Sequence, residues 1–82
     1  MSKGDPVPAV PFDAPQMGEV YRHYKGDQYK VVGLALDSTD QWVVAYMPLY
    51  EGAVAKLFTR PVGEWHQPVE WQGGLVPRFI KI

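Results

Sequence analysis

Turn-forming residues recur at such close spacing along most of this 82-residue chain that only short extended segments fit between them. Gly26-Asp27, Asp37-Ser38-Thr39-Asp40, Pro48, Pro61, Pro68 and Gly73-Gly74 break residues 18–82 into brief runs. Proline removes a backbone donor and fixes φ, while glycine and aspartate take turn geometries that other residues resist. The runs between them are rich in β-branched and aromatic side chains, which suit a pleated surface. Strands are expected over Glu19–Tyr24, Tyr29–Leu36, Trp42–Met47, Val54–Arg60, Val69–Gln72 and Leu75–Ile80. Pro61–His66 is long enough for one helical turn. Gly33 marks a bend or bulge in the second strand. Gly73-Gly74 suits a two-residue hairpin turn. The fold class expected is all-β, a small barrel of five to six short strands with one short helical turn.

A barrel this small needs large side chains to fill it, and ten of the eleven aromatic residues lie beyond Met17. Alternation places Tyr29, Val31 and Ala35 on one face of the second strand and Val44 and Tyr46 on one face of the third. Leu57, Trp65, Val69, Val76 and Phe79 complete the expected core, with Val32 and Leu34 as further candidates where curvature buries both faces. Residues 1–17 read instead as a proline-rich tail, expected to be disordered apart from docking of Phe12. The division is therefore a tail at 1–17 and one domain at 18–82.

The absence of cysteine excludes disulfides, thiolate nucleophiles and cysteine-based zinc sites. No apolar run approaches the length of a membrane-spanning helix, and the N-terminus lacks a secretory pattern, so the cytoplasm is the expected location. Residues 18–82 hold seven basic and seven acidic side chains, a balance unlike the basic excess of most nucleic-acid binders.

Chemistry concentrates in Tyr21-Arg22-His23-Tyr24-Lys25-Gly26. On a strand, Tyr21, His23 and Lys25 share one face and Arg22 and Tyr24 the other. His23 is a ligand contact or a proton carrier on one reading, and a strand histidine bonded to a nearby loop on the other. Arg60 and Arg78, beside or near prolines, either converge on an anion or planar partner, or stack on tyrosines and pair with carboxylates. Tyr21, Tyr24, Tyr46 and Tyr50 are either an exposed aromatic platform or core rings with hydroxyls at the rim. Pro8-Ala9-Val10-Pro11 matches the loose P-x-x-P pattern, which an aromatic groove reads when it is not simply tail.

Gly18-x-x-Tyr21-Arg22-His23-Tyr24-Lys25-Gly26-x-x-Tyr29-x-Val31 resembles the opening motif of a small bacterial family, the domain of unknown function 1653. Val44-Ala45-Tyr46 through Leu49-Tyr50, Arg60-Pro61 with Trp65, and Val76-Pro77-Arg78-Phe79 fit the same family in order. The resemblance spans roughly Gly18 to Phe79. It implies an SH3-like β-barrel and no particular activity.

The function expected is a non-enzymatic binding module. Arg22, His23, Tyr24, Lys25, Tyr46, Tyr50, Arg60 and Arg78 are its candidate ligand-binding residues, with no metal or cofactor. The partner expected is a peptide, an anionic small molecule or single-stranded nucleic acid. Two alternatives stand beside it. One is a structural assembly or weak homodimer built through the apolar edge Phe79-Ile80-Lys81-Ile82. The other is an enzyme with His23 as general base, although the only serines are Ser2 and Ser38 and neither has an evident partner base.

Overall fold

The strands in this computed structural model, which describes residues 7–82, follow the turn signals closely. They are β1 (Val20–His23), β2 (Gln28–Leu36), β3 (Trp42–Pro48), β4 (Phe58–Pro61), β5 (Pro68–Trp71), β6 (Gly74–Pro77) and β7 (Phe79–Lys81). A single helical turn, α1 (Val62–Trp65), follows β4. The turn signals predict five or six strands. The described residues form seven, because Arg78 interrupts the expected last strand and sends Phe79 into a different sheet. Five strands form an antiparallel sheet in the order β4-β3-β2-β1-β7, and β5 and β6 form a separate hairpin.

The bulge expected near Gly33 is present, and it reassigns the core. Val31 pairs with Tyr46 and Gly33 with Ala45, so Val32 is the extra residue. One inserted residue switches the side that later residues face. Leu34, opposite Val44, therefore packs on the core, whereas Ala35 is exposed. Val32 is also exposed. Gly33 does not take a left-handed φ, and a β-carbon there would meet nothing within 4 Å, so the bulge does not depend on its missing side chain.

The last hairpin turns one residue earlier than expected. Trp71 pairs with Gly74, leaving Gln72 (φ 53°) and Gly73 (φ 85°) as the two-residue loop. Two successive positive φ values define a type I′ turn, whose twist matches antiparallel strands. Gln72 bears the steric cost of that geometry. Gln72→Asn, giving the favoured Asn-Gly pair, is expected to stabilise the domain by about 0.5 kcal/mol. A urea melt reads the change, and a loss of stability would contradict the turn assignment.

The core is a set of rings. Val31, Val44, Tyr46, Val62, Trp65 and Phe79 are buried together, with Tyr21, Tyr29, Leu34, Trp42 and Phe58 packed against them. In α1, three-residue spacing puts Val62 and Trp65 on one side of the turn, and both are buried. Trp65 stacks on Phe79 of β7, with ring centroids 3.8 Å apart and planes 9° off parallel. This stack joins the two ends of the sheet, since α1 continues from β4 at one edge and β7 forms the other. Leu57, expected in the core, is exposed because β4 starts at Phe58, which takes its place. Val69 and Val76 face each other across the small hairpin and are half-buried.

The expectation of a tail concerns residues 1–6 as well, which lie outside the described residues. Residues 7–17 run against the barrel. The Trp42 indole N–H donates to the Pro8 carbonyl at 2.9 Å, and His66 Nε2 lies 2.6 Å from the Asp13 carbonyl. Pro15 is buried and Ala14 touches the core cluster, whereas Phe12, the residue expected to dock, is fully exposed. Glu19 links this segment to the sheet. Its carboxylate accepts from the Gln16 amide at 2.7 Å and the Tyr21 hydroxyl at 3.1 Å, and pairs with Lys81 Nζ at 2.7 Å. Those partners, the Gln16 amide first, hold its pKa below the ordinary glutamate value. The Tyr21 hydroxyl is pushed up to about 12 by burial and then by the Glu19 carboxylate.

Candidate functional site

Strand β1 ends at His23, one residue short of the expected boundary, and this alters which side chains share a face. The His23 amide donates to the Asp27 carbonyl and the Gly26 amide to the His23 carbonyl, both at 2.7 Å. These bonds close a tight loop over Tyr24–Gly26, where Gly26 takes φ 110°. Tyr24 and Lys25 therefore lie in a turn and leave the strand alternation. Tyr21 and His23 do share the inner face, while Arg22 is exposed on the opposite one.

His23 sits directly across from Phe79, with ring centroids 5.1 Å apart, and its ring lies 6.3 Å from that of Tyr29. Its Nδ1 accepts from the Lys25 amide at 3.2 Å, so the neutral ring carries its proton on Nε2. The Tyr24 amide donates to the Arg78 carbonyl at 2.9 Å, which draws the β6–β7 junction against the loop. The Tyr24 ring lies 4.3 Å from His23 and 5.1 Å from Trp71.

Arg60 comes from β4, and its charge acts on His23. It shares a strand face with Phe58, which packs on the core, and its Nη1 lies 3.5 Å from Glu64 one helical turn on. The Nε groups of Arg60 and Arg78 are both buried without a hydrogen-bond acceptor, as is the indole N–H of Trp65. The charges of both arginines act on His23. Burial first, then Arg60, Arg78 and Lys25, holds its imidazole below the ordinary histidine value of 6.5, with Asp27 opposing.

That arrangement has a direct consequence for titration. Because the folded pKa is depressed, the unfolded chain binds more protons on the acid side of 6.5. The stability associated with the neutral ring is full above 6.5 and declines as pH falls through the folded value. Arg78→Gln removes one repelling charge and is expected to raise the His23 midpoint. A proton NMR titration of the His23 ring checks this, and an unchanged or lower midpoint would contradict the placement of Arg78.

The remaining candidates separate. Tyr46 is a core residue, 5% exposed, and takes no part in a surface platform. Tyr50 has no ring contact with His23; its hydroxyl lies 3.3 Å from that of Tyr29, whose ring stands between them at 5.7 Å from Tyr50 and 6.3 Å from His23. Arg22 faces away. The structure thus brings together His23, Tyr24, Lys25 and Arg78 of the eight expected residues, and the charge of Arg60 acts on the same histidine. It adds Trp71, exposed at the tip of the β5–β6 hairpin. A tryptophan next to the turn of a hairpin too short to bury both faces is the signal that points to it in the sequence.

Depressions open elsewhere on the surface, beside Pro11, Pro15, Met17 and Leu34, and around Met47, Tyr50, Val54 and Lys56. The first has no titratable group in its lining, and the second only Tyr50 and Lys56, so the chemistry favours the arginine cluster. Among the described residues no group of three or more His, Asp or Glu is placed to hold a metal ion. No helix among them is long and apolar enough to cross a membrane.

Comparison with known proteins agrees with the fold. A crystal structure of a DUF1653 protein from Bordetella bronchiseptica matches with a TM-score of 0.76 and 41% sequence identity, covering 85% of this chain and 88% of that one. None of the curated proteins matches. The family described as "Protein of unknown function (DUF1653)" matches residues 19–81. With nearly the whole described barrel inside that match, the chain belongs to the DUF1653 family.

Proposed function

We propose that this domain is a non-enzymatic binding module whose ligand presents an oxyanion to Arg60 and Arg78. The observation that carries the reading is the two buried Nε–H donors without an acceptor, on arginines whose charges both oppose the protonation of His23. A buried donor left unmade costs free energy, more so when it is charged. Guanidinium forks match the geometry of carboxylate and phosphate oxygens. Stacking on tyrosines does not account for these groups. The one cation–ring contact among the described residues is Lys25 Nζ, 5.8 Å from the centre of the Tyr24 ring. The Arg60–Glu64 pair uses Nη1 and a half-exposed carboxylate, leaving Nε unused.

The other two readings draw less support from the same geometry. A general base needs a partner that orients it, and among the described residues no carboxylate lies within ion-pair distance of His23. Assembly through β7 would use a strand of three residues whose Lys81 already engages Glu19. Short, charged edges are a common protection against such pairing.

Inorganic phosphate titrated into isotope-labelled protein tests the proposal. The expected result is saturable shifts at His23, Tyr24, Arg60 and Arg78, including the arginine Nε–H signals. Shifts centred elsewhere, or none at these positions, overturn it.

A further inference from the structure

His23, on which the charges of Arg60 and Arg78 act, stands at one end of a row of rings that ends in an exposed indole. Trp71 is 38% exposed, yet one side of it is held by Tyr24 in an edge-to-face contact at 71°. Tyr24 itself is not a free platform, because the His23 ring packs 4.3 Å away at 36° and Lys25 Nζ also approaches it. Trp71 is the ring in the row that is both anchored and open to solvent. An anchored, exposed tryptophan is suited to stacking a planar partner, since little side-chain freedom remains to be lost.

We infer that the site takes a nucleoside monophosphate unit, with the base stacked on Trp71 and the phosphate at Arg60 and Arg78. The inference rests on the oxyanion reading above. Spacing argues for a nucleotide over an aromatic acid. The Tyr24 ring, 5.1 Å from Trp71 and 4.3 Å from His23, stands between the indole and the histidine on which the charges of Arg60 and Arg78 act. A carboxylate attached directly to a ring has no spacer with which to pass Tyr24, whereas a ribose holds a phosphate at a distance from its base. Charge argues for one unit over a long strand. The seven basic side chains of residues 18–82 are matched by seven acidic ones, unlike the basic grooves that track a polynucleotide backbone.

The experiment compares inorganic phosphate, benzoate, AMP and a short oligodeoxythymidylate, read by amide shifts and tryptophan fluorescence. AMP is expected to bind about 10-fold more tightly than phosphate, the gain from one stacked base. Trp71→Ala is expected to remove that gain, read as the ratio of AMP to phosphate affinity in the same variant, and Trp71→Phe to keep most of it. Amide spectra of both variants establish that the barrel is intact, as expected for an exposed position. AMP binding no tighter than phosphate, insensitive to Trp71→Ala, or equalled by benzoate overturns the inference while phosphate binding preserves the oxyanion reading. Failure of phosphate and AMP alike removes both. An oligonucleotide that binds more tightly per nucleotide than AMP identifies a single strand as the source of the unit. Equal or weaker binding identifies the free nucleotide.

Discussion

Trp65→Ala is expected to leave this domain at the edge of unfolding. Trp65 is 1% exposed and touches rings from three strands: Phe79 of β7 at 3.8 Å, Tyr46 of β3 at 5.0 Å and Tyr21 of β1 at 5.2 Å. It is the side chain through which α1 joins the far edge of the sheet. Truncating a buried tryptophan to alanine costs about 3–5 kcal/mol, from lost transfer energy and the cavity left behind. A domain of this size has a total stability of about 4–12 kcal/mol, so the substitution removes a large share. Urea denaturation followed by circular dichroism reads the effect. A loss below about 1 kcal/mol would mean that the core closes without this stack. Trp65→Phe keeps a ring against Phe79 and is expected to cost less.

The double variant Arg60→Gln/Arg78→Gln is expected to lower phosphate affinity by at least about 100-fold. A hydrogen bond to a charged group contributes about 1.5–3 kcal/mol, and each 1.4 kcal/mol is tenfold in affinity. The two arginines serve one ligand, so the single variants need not add up to the double one. Arg22→Gln removes one charge, as each single variant does, on the opposite face of β1 and is expected to leave binding unchanged. That control separates a local site from a general loss of positive charge, which acts through long-range attraction and is screened by salt. The His23 midpoint gives a second reading. Bound anion offsets the repulsion from Arg60 and Arg78, so the midpoint is expected to rise on binding. By linkage, affinity for sulfate, whose charge is constant near neutral pH, is expected to increase as pH falls through the His23 midpoint. Equal phosphate affinity in the wild type and the double variant would place the anion elsewhere.

Most of the architecture was legible because turn chemistry is local. Gly26-Asp27, the Asp37–Gln41 segment and Pro48 each act within a few residues. Asp37 shows why: its carboxylate accepts from the Thr39 amide and hydroxyl and from the Gln41 amide, at 2.7–3.0 Å, which folds the turn without outside help. The errors arose where one residue of register mattered. The extra residue at Val32 exchanged Ala35 for Leu34 in the core. The Gly73-Gly74 dipeptide looked like the whole turn, but a type I′ loop required the positive φ values one position earlier, at Gln72 and Gly73. Arg78 broke the expected last strand because Phe79 pairs with β1 while Val76 pairs with β5.

The candidate site was legible in its residue types and not in its membership. Tyr46 and Tyr50 belong to the same chemical class as Tyr24, yet one is buried and another bonds to Tyr29, distinctions that depend on which strands lie opposite. Short-range spacing and composition determined an all-β barrel filled with rings, carrying aromatic and cationic groups near β1, because strand alternation, turn preference and burial of apolar area act locally or in bulk. Only the tertiary structure decided that Arg60 and Arg78, 18 positions apart, bring their charges to bear on the same histidine. That outcome depends on sheet order and register, which arise when β4 and β7 are brought to one core through the Trp65–Phe79 stack.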